Sequence, residues 1–297
     1  MTNARNKRSK RRSILWGGLV GAALVSALGS YAIASKLIEP QQRTIGEPPA
    51  SLGGDTITIE REGLAPLAGW YRPLEDAQGA VLLLHGVRSD RRQMIGRAEF
   101  LLAAGYSVLL IDMQAHGESP GDYIGFGYLE ARDVVDAVAF LKATHNRVGI
   151  IGASLGGAAA VMAAEELVAD AIVVEAVYSD ISKATVNRLR IRLGSLGDYL
   201  APLLLWQIEP RLGISPDEVS PVNAIGSVQV PVFVISGEAD QRTTLSDTQQ
   251  LFESANDPKA LWIVPGAKHQ DLHRYSGAEY EQRVLQFLAR YLGVDAA

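Results

Sequence analysis

The sequence contains no cysteine. Disulfides, a thiolate nucleophile and cysteine-ligated zinc are therefore excluded, while the redox compartment stays open. Internal repeats and low-complexity runs are also missing, and a composition of 47% hydrophobic and 21% charged residues is that of a globular chain. Positive charge is unevenly spread, with a dense cluster at the start of the chain. Arg5, Lys7, Arg8, Lys10, Arg11 and Arg12 all precede residue 13. Set those six aside and the formal net charge of -5 becomes that of a distinctly acidic body, which excludes nucleic acid as an expected partner. At 297 residues the chain can hold one large α/β domain or two small ones.

Charge is absent altogether from Ile14 to Ser35, a run of 22 residues. A helix of that length, rising ~1.5 Å per residue, would cross a hydrocarbon core about 30 Å thick. The cationic flank should stay cytoplasmic, which places the body on the periplasmic or extracellular side. A retained single-pass signal anchor is the expectation. The competing reading is cleavage after the A-x-A site Ala32-Ile33-Ala34, giving an exported soluble protein. Arg11-Arg12 before Ser13-Ile14-Leu15 also weakly resembles a twin-arginine signal. The segment from Pro40 to Asp55 is rich in proline, glycine and polar residues and reads as a linker. The expected organisation is a basic tail over 1–13, an anchor over 14–35, a linker over 36–55 and one domain over 56–297.

Within that domain, strand and helix signals alternate. Thr56 to Glu60 alternates with period two and has a hairpin partner in Leu67 to Tyr71. Ala80 to Leu84, Ser107 to Ile111, Val148 to Ile151, Asp170 to Val174, Pro231 to Ser236 and Ala260 to Val264 are short apolar runs, as strands covered on both faces require. Helical patterns span Arg92 to Ala104, Leu129 to Thr144 and Glu279 to Leu292, with Val134, Val135, Val138 and Leu141 on one stripe of the second. This predicts an α/β fold with a mostly parallel sheet flanked by helices and an antiparallel edge. Between Val174 and Val232 the rhythm breaks. Val186 to Leu193 and Leu200 to Ile208 read as helices of an insertion over about 178–225, with exposed Leu200, Leu203, Leu204, Leu205 and Trp206. A lid whose apolar face meets an acyl chain or a membrane, and an ordinary helical excursion packed on the core, are both open.

The chemistry centres on Gly152-Ala153-Ser154-Leu155-Gly156. It follows an apolar strand and precedes a run of helix-forming alanines, the strand–turn–helix setting in which G-x-S-x-G presents a serine at the tip of a strained turn. Gly152 and Gly156 leave room where side chains would collide, and the Leu155 N–H at the helix start can face an oxyanion. An N-capping serine is the bland alternative. Ser154 needs a base. Of five histidines, His269 follows the Ala260–Val264 strand at the carboxyl edge that also carries Ser154, with His273 in reserve. His145 falls on the opposite edge. His85 reads as support for its loop. Asp240, just past the strand ending at Ser236, is the expected partner of His269. Asp112 is the rival, and Glu238 and Asp271 are weaker. Gly86 lets the backbone approach the reacting oxygen, so the Val87 N–H joins the Leu155 N–H as the expected oxyanion hole.

Taken together, these residues resemble the alpha/beta-hydrolase superfamily over roughly 55–293. His85-Gly86 corresponds to the oxyanion loop, Gly152 to Gly156 to the nucleophile elbow, Gly237 to Asp240 to the acid loop and Gly266 to His269 to the histidine loop, in the superfamily's order. Asp112 to Ser119 (DMQAHGES) is similar to D-x-R-G-x-G-x-S, with Gln114 in place of the arginine. The type resembled is a small-lid serine hydrolase with a membrane-anchored N-terminus. The resemblance implies an alpha/beta-hydrolase fold and a serine esterase, lipase or thioesterase with no metal or organic cofactor, acting on a small-molecule or lipid-like acyl substrate. An acyltransferase using the same residues, or a non-catalytic binding protein on this fold, are the alternatives.

Overall fold

The computed structural model describes Gly21 and residues 26–293. Eight strands form one sheet: β1 (Asp55–Ile59), β2 (Leu67–Arg72), β3 (Ala80–Leu84), β4 (Ser107–Ile111), β5 (Val148–Ala153), β6 (Ala171–Glu175), β7 (Val232–Gly237) and β8 (Lys259–Val264). Their spatial order is β8-β7-β6-β5-β3-β4-β2-β1. Strands β3 to β8 are mutually parallel, and β2 runs antiparallel to both of its neighbours. The helices that follow the N-terminal stretch are, in chain order, α1 (Ile95–Ala103), α2 (Ala131–Lys142), α3 (Leu155–Met162), α4 (Ile181–Leu193), α5 (Leu196–Leu205), α6 (Ile208–Leu212), α7 (Pro221–Ala224), α8 (Leu245–Ser254), α9 (Leu272–Ser276) and α10 (Ala278–Leu292).

Every residue of β3 to β7 is buried. That is why these strands read as unbroken apolar runs: helices cover both faces. Alternation along β3 divides the core in two. Leu82 and Leu84 share one core with Val134 of α2, Ala159 of α3 and Leu251 of α8. Val81 and Leu83 point the other way, into a second core that holds Ala98 and Leu101 of α1 and Val284 and Leu288 of α10. All the parallel strands end on one edge, so the loops after β3, β5, β7 and β8 gather there.

The segment expected as a linker is packed on the body. Gln41–Gln42 pairs with His116–Gly117, the Ile45 and Gly46 N–H groups donate to Glu118, and Trp70 donates through its indole N–H to the Gly46 carbonyl. Leu52 is buried with Trp70. Proline and glycine here shape a strap whose few apolar residues find the core, rather than a free spacer. The basic tail and half of the Ile14–Ser35 run lie outside the described residues. Residues 26–38 are helical, and among the described residues no helix is long and apolar enough to cross a membrane. In the insertion Leu200, Leu203 and Trp206 are exposed, whereas Leu204 is buried and Leu205 half-buried, because they lie on the inward side of α5. Helix α8 had no apolar signal strong enough to be read. It is opened by a capping box in which Thr244 and Asp247 satisfy each other's backbone N–H groups.

Candidate active site

Strand β5 stops at Ala153 and α3 starts at Leu155, so Ser154 alone makes the turn, at φ 50° and ψ −105°. A non-glycine residue there costs about 1–3 kcal/mol and persists only where its neighbours over-determine it. Here the Ser154 N–H donates to the Glu175 carbonyl at 2.7 Å, and the Gly156 N–H donates to the His85 carbonyl at 3.1 Å. The crowding explains the flanking glycines. A Cβ on Gly152 would lie 2.5 Å from the Gly157 nitrogen, and one on Gly156 would lie 2.5 Å from the Cβ of Leu84.

Two loops leave the neighbouring strands β7 and β8 on the same edge. Asp240 Oδ1 accepts the N–H groups of Arg242 (2.7 Å) and Thr243 (3.0 Å), and Oδ2 accepts the Thr243 hydroxyl at 2.6 Å. Oδ2 also lies 2.7 Å from His269 Nδ1. Burial pushes the Asp240 carboxyl up, but the bonds from His269 and Thr243 outweigh it and hold the group below the usual carboxylate range. An ionised Asp240 can only accept, so His269 donates through Nδ1, and the neutral form of the ring set by that bond is the one with its lone pair on Nε2. Glu238 accepts the Gly266 N–H at 2.9 Å and the Ala239 N–H donates to the Ala267 carbonyl at 2.8 Å, which locks the two loops together. Among the described residues the Ser154 hydroxyl has no hydrogen-bond partner, so its link to His269 is open in this structure. Such bonds often tighten only when substrate binds.

Two backbone donors face this edge, one from the start of α3 and one from the loop after β3. Leu155 is the first residue of α3, so its N–H has no carbonyl a turn earlier to bond. The Val87 N–H likewise donates to nothing among the described residues. The loop around Val87 is fixed on both sides. The Gly86 N–H donates to Gln93 at 2.8 Å, and the Arg88 N–H, from a residue at φ 62°, donates to His116 Nε2 at 3.1 Å. His85 accepts the Met113 N–H at 3.1 Å through Nε2 while Nδ1 faces the Gly86 carbonyl. Both imidazoles are buried and kept neutral. Burial pushes each down to about 4, against weaker upward pulls from nearby carbonyls and carboxylates, and His85 depresses His116 further. His85 is thus a support. His116 is a second support that sequence reasoning missed. Its only signal was its place in DMQAHGES.

The remaining candidates are committed elsewhere. Asp112 is buried against Arg91, accepting the Arg91 N–H (2.7 Å) and the Glu118 N–H (2.9 Å) besides the Arg91 guanidinium. It braces its turn and lies away from His269's hydrogen-bond set. Gln114 holds the Tyr123 carbonyl, and the buried cation nearby is Arg61, paired with Asp133 at 2.6 Å. His145 sits at the end of α2 beside the Leu141 carbonyl. His273 pairs with Glu281 at 2.8 Å and packs on Phe100 and Tyr280. Asp271 caps α9 and pairs with Arg97 at 3.0 Å. Arg97 was not anticipated. It is buried, grips Glu175 with two bonds (2.9 and 2.6 Å), and so joins the strand that holds Ser154's backbone to the loop carrying His269. Among the described residues no group of three or more His, Asp or Glu side chains is placed to share a metal ion.

Serine elbow, acid loop and histidine loop on one edge of this sheet order can be set against known families. The model of the alpha/beta hydrolase family matches residues 81–283. The chain belongs to that family. Two bacterial relatives of this alpha/beta hydrolase are the Bacillus subtilis protein YqkD, 26% identical over 75% of each chain, and the Mycobacterium tuberculosis protein Rv2307c, 29% identical over 80% of this chain and 79% of its own. The structure of the Pyrococcus furiosus esterase Pf2001 superposes with a TM-score of 0.71 at 25% identity, covering 86% of this chain and 99% of that one. Family and fold together support a hydrolase.

Proposed function

We propose that this alpha/beta hydrolase is a serine hydrolase that cleaves a carboxylic ester, thioester or amide. The observation that carries the reading is the hydrogen-bonded Asp240–His269 pair on the sheet edge that bears the strained Ser154 turn. The substrate carbonyl oxygen faces the Val87 and Leu155 N–H groups. Ser154 Oγ attacks the carbonyl carbon as its proton passes to His269 Nε2, while Nδ1–H stays on Asp240. The two amides hold the oxyanion of the tetrahedral intermediate. When the carbon–leaving-group bond breaks, the imidazolium protonates the leaving group and an acyl-Ser154 remains. Water, losing a proton to His269, attacks that acyl group, and the acid departs as Ser154 regains its hydrogen. Likeness to an esterase favours the ester among the three bonds. A panel of p-nitrophenyl esters of graded chain length is the test. Turnover should fall by several orders of magnitude in Ser154→Ala and in His269→Ala, and an active Ser154→Ala enzyme would overturn the reading.

We infer also that residues 14–35 hold the protein at a membrane with its body on the non-cytoplasmic side. The support is the uncharged run and the six cations before it. Full-length protein should stay in the pellet after alkaline carbonate washing. Release into the supernatant, or a mature N-terminus near Ala34, would contradict retention.

A further inference from the structure

We propose that the outward face of the helical insertion rests on the lipid bilayer, so that the edge bearing Asp240 and His269 draws its acyl substrate from the membrane. The substrate part rests on the serine-hydrolase reading above; the seating does not.

Helix α5 has two apolar faces. Gly197, Ala201 and Leu204 face inward and are buried. Leu196, Tyr199, Leu200, Leu203 and Trp206, spaced three or four apart, form one outward stripe, with Tyr199 80% and Trp206 77% exposed. Isolated exposed apolar residues need no explanation, but a continuous stripe with Tyr and Trp marks a contact surface. What meets it is indicated by the chain that arrives beside it. The helical stretch 26–38 docks next to Trp206: Gln207 donates to the Ser30 hydroxyl (3.3 Å), and Arg211 donates to the Ser35 hydroxyl (3.0 Å) and the Tyr31 carbonyl (3.1 Å). The Arg211 guanidinium stacks 4.0 Å over the Tyr31 ring. That stretch exposes Leu28, Tyr31 and Ile33 in its own right and continues the uncharged run from Ile14. The lipid-seeking part of the chain thus reaches the body at the stripe. Tyr and Trp suit the interfacial level of a bilayer, and the exposed Arg192 at the end of α4 suits its headgroups, its neighbour Arg190 being paired with Asp198 at 2.6 Å.

The insertion is also tied to the site. Asn187 of α4 donates to the Arg242 carbonyl (3.3 Å) and to Asp247 (2.9 Å), and the Arg242 N–H holds Asp240. Close approach of α5 to α4, where a Cβ on Gly197 would lie 2.8 Å from the Arg190 nitrogen, makes the two helices one unit. Seating α5 on lipid therefore sets the acid loop close to the membrane surface.

The test uses the full chain in phosphatidylcholine/phosphatidylglycerol vesicles with and without brominated acyl chains. The chain has four tryptophans, and subtracting the emission of Trp206→Phe isolates that of Trp206. Trp206 emission should drop at least twofold with brominated lipid and resist iodide. Quenching by iodide alone, or shielding from both quenchers as in contact with a second copy, would overturn the seating. Failure to co-float with vesicles would overturn membrane residence as a whole. Hydrolysis of soluble p-nitrophenyl acetate by the same sample reports the Ser154 chemistry separately. Leu203→Ser/Trp206→Ser should slow cleavage of a vesicle-borne long-chain ester at least fivefold with acetate turnover unchanged. Equal effects on both substrates would overturn delivery from the membrane.

Discussion

His269 Nδ1 lies 2.7 Å from Asp240 Oδ2, and the two residues sit on loops leaving the adjacent parallel strands β8 and β7. Asp240 is held by three further donors, so the carboxylate is fixed before the imidazole meets it. A pair built this way sets the tautomer of His269. Asp240→Asn should therefore lower kcat by a factor on the order of 10⁴, through the wrong tautomer, with the fold intact. Asp112→Asn should do the reverse. It weakens the partner of buried Arg91 and should cost stability far more than turnover. Measuring kcat/KM and the denaturation midpoint of both variants decides between them. A larger loss of turnover in a stable Asp112→Asn would move the acid role to Asp112.

The strained turn at residue 154 makes a second prediction. Ser154→Ala keeps the positive φ strain, whereas Ser154→Gly relieves it. Both should be inactive, but the glycine variant should be the more stable, by about 1 kcal/mol after the entropy cost of glycine is set against the relief. Urea midpoints of the two variants check this. Equal midpoints would mean that the turn stores no strain.

Stability should depend on pH through the buried imidazoles that brace the oxyanion loop. Burial depresses His85 and His116 from 6.5 to about 4 in the folded chain. In the unfolded chain they bind protons near pH 6.5, so between those values the unfolded state holds more protons. Their contribution is complete above about pH 6.5 and is lost as pH falls toward 4, at about 1.4 kcal/mol per pH unit for each histidine. Chemical denaturation at pH 7 and pH 5 should show the loss, and His116→Gln should flatten it. An unchanged slope in that variant would assign the pH effect to other groups.

Arg97 offers a further test. Removing it leaves Glu175 buried without its cation and frees Asp271, two residues from His269. Arg97→Ala should cost about 3–5 kcal/mol of stability. A milder variant, Arg97→Lys, should fold yet show a lower kcat at little changed KM, because a compact ammonium lacks the planar fork that spans Glu175 and Asp271 at once. A Lys variant with unaltered kcat would leave Arg97 a purely structural residue.

How far the sequence could be read depended on whether a feature was local. Strands β3 to β7 are buried on both faces, so their apolar runs stand out; Ser154 and Asp240 draw notice by following such runs, and His269 by following the half-buried but still apolar β8. The order of strands is set by crossovers that no local pattern displays. Helix α8 is polar over much of its length, with only Leu245, Leu251 and Phe252 as large apolar residues, so its apolar stripe is thin and its start lies in the capping box. Nothing local in the sequence tells that Arg97 and Glu175 bury each other, so the pair had no signal. His116 was marked only by its place in DMQAHGES. The strap over residues 40–55 has linker composition, and only contacts with Trp70 and Glu118, distant in sequence, hold it down.

Covalent labelling with a fluorophosphonate tests the central claim most directly. An activated serine at position 154 should label wild-type protein at Ser154, as read by peptide mass spectrometry. Labelling should vanish in Ser154→Ala and slow by several orders of magnitude in His269→Ala. Undiminished labelling of Ser154→Ala, or none in the folded wild-type chain, would contradict a Ser154–His269–Asp240 hydrolase.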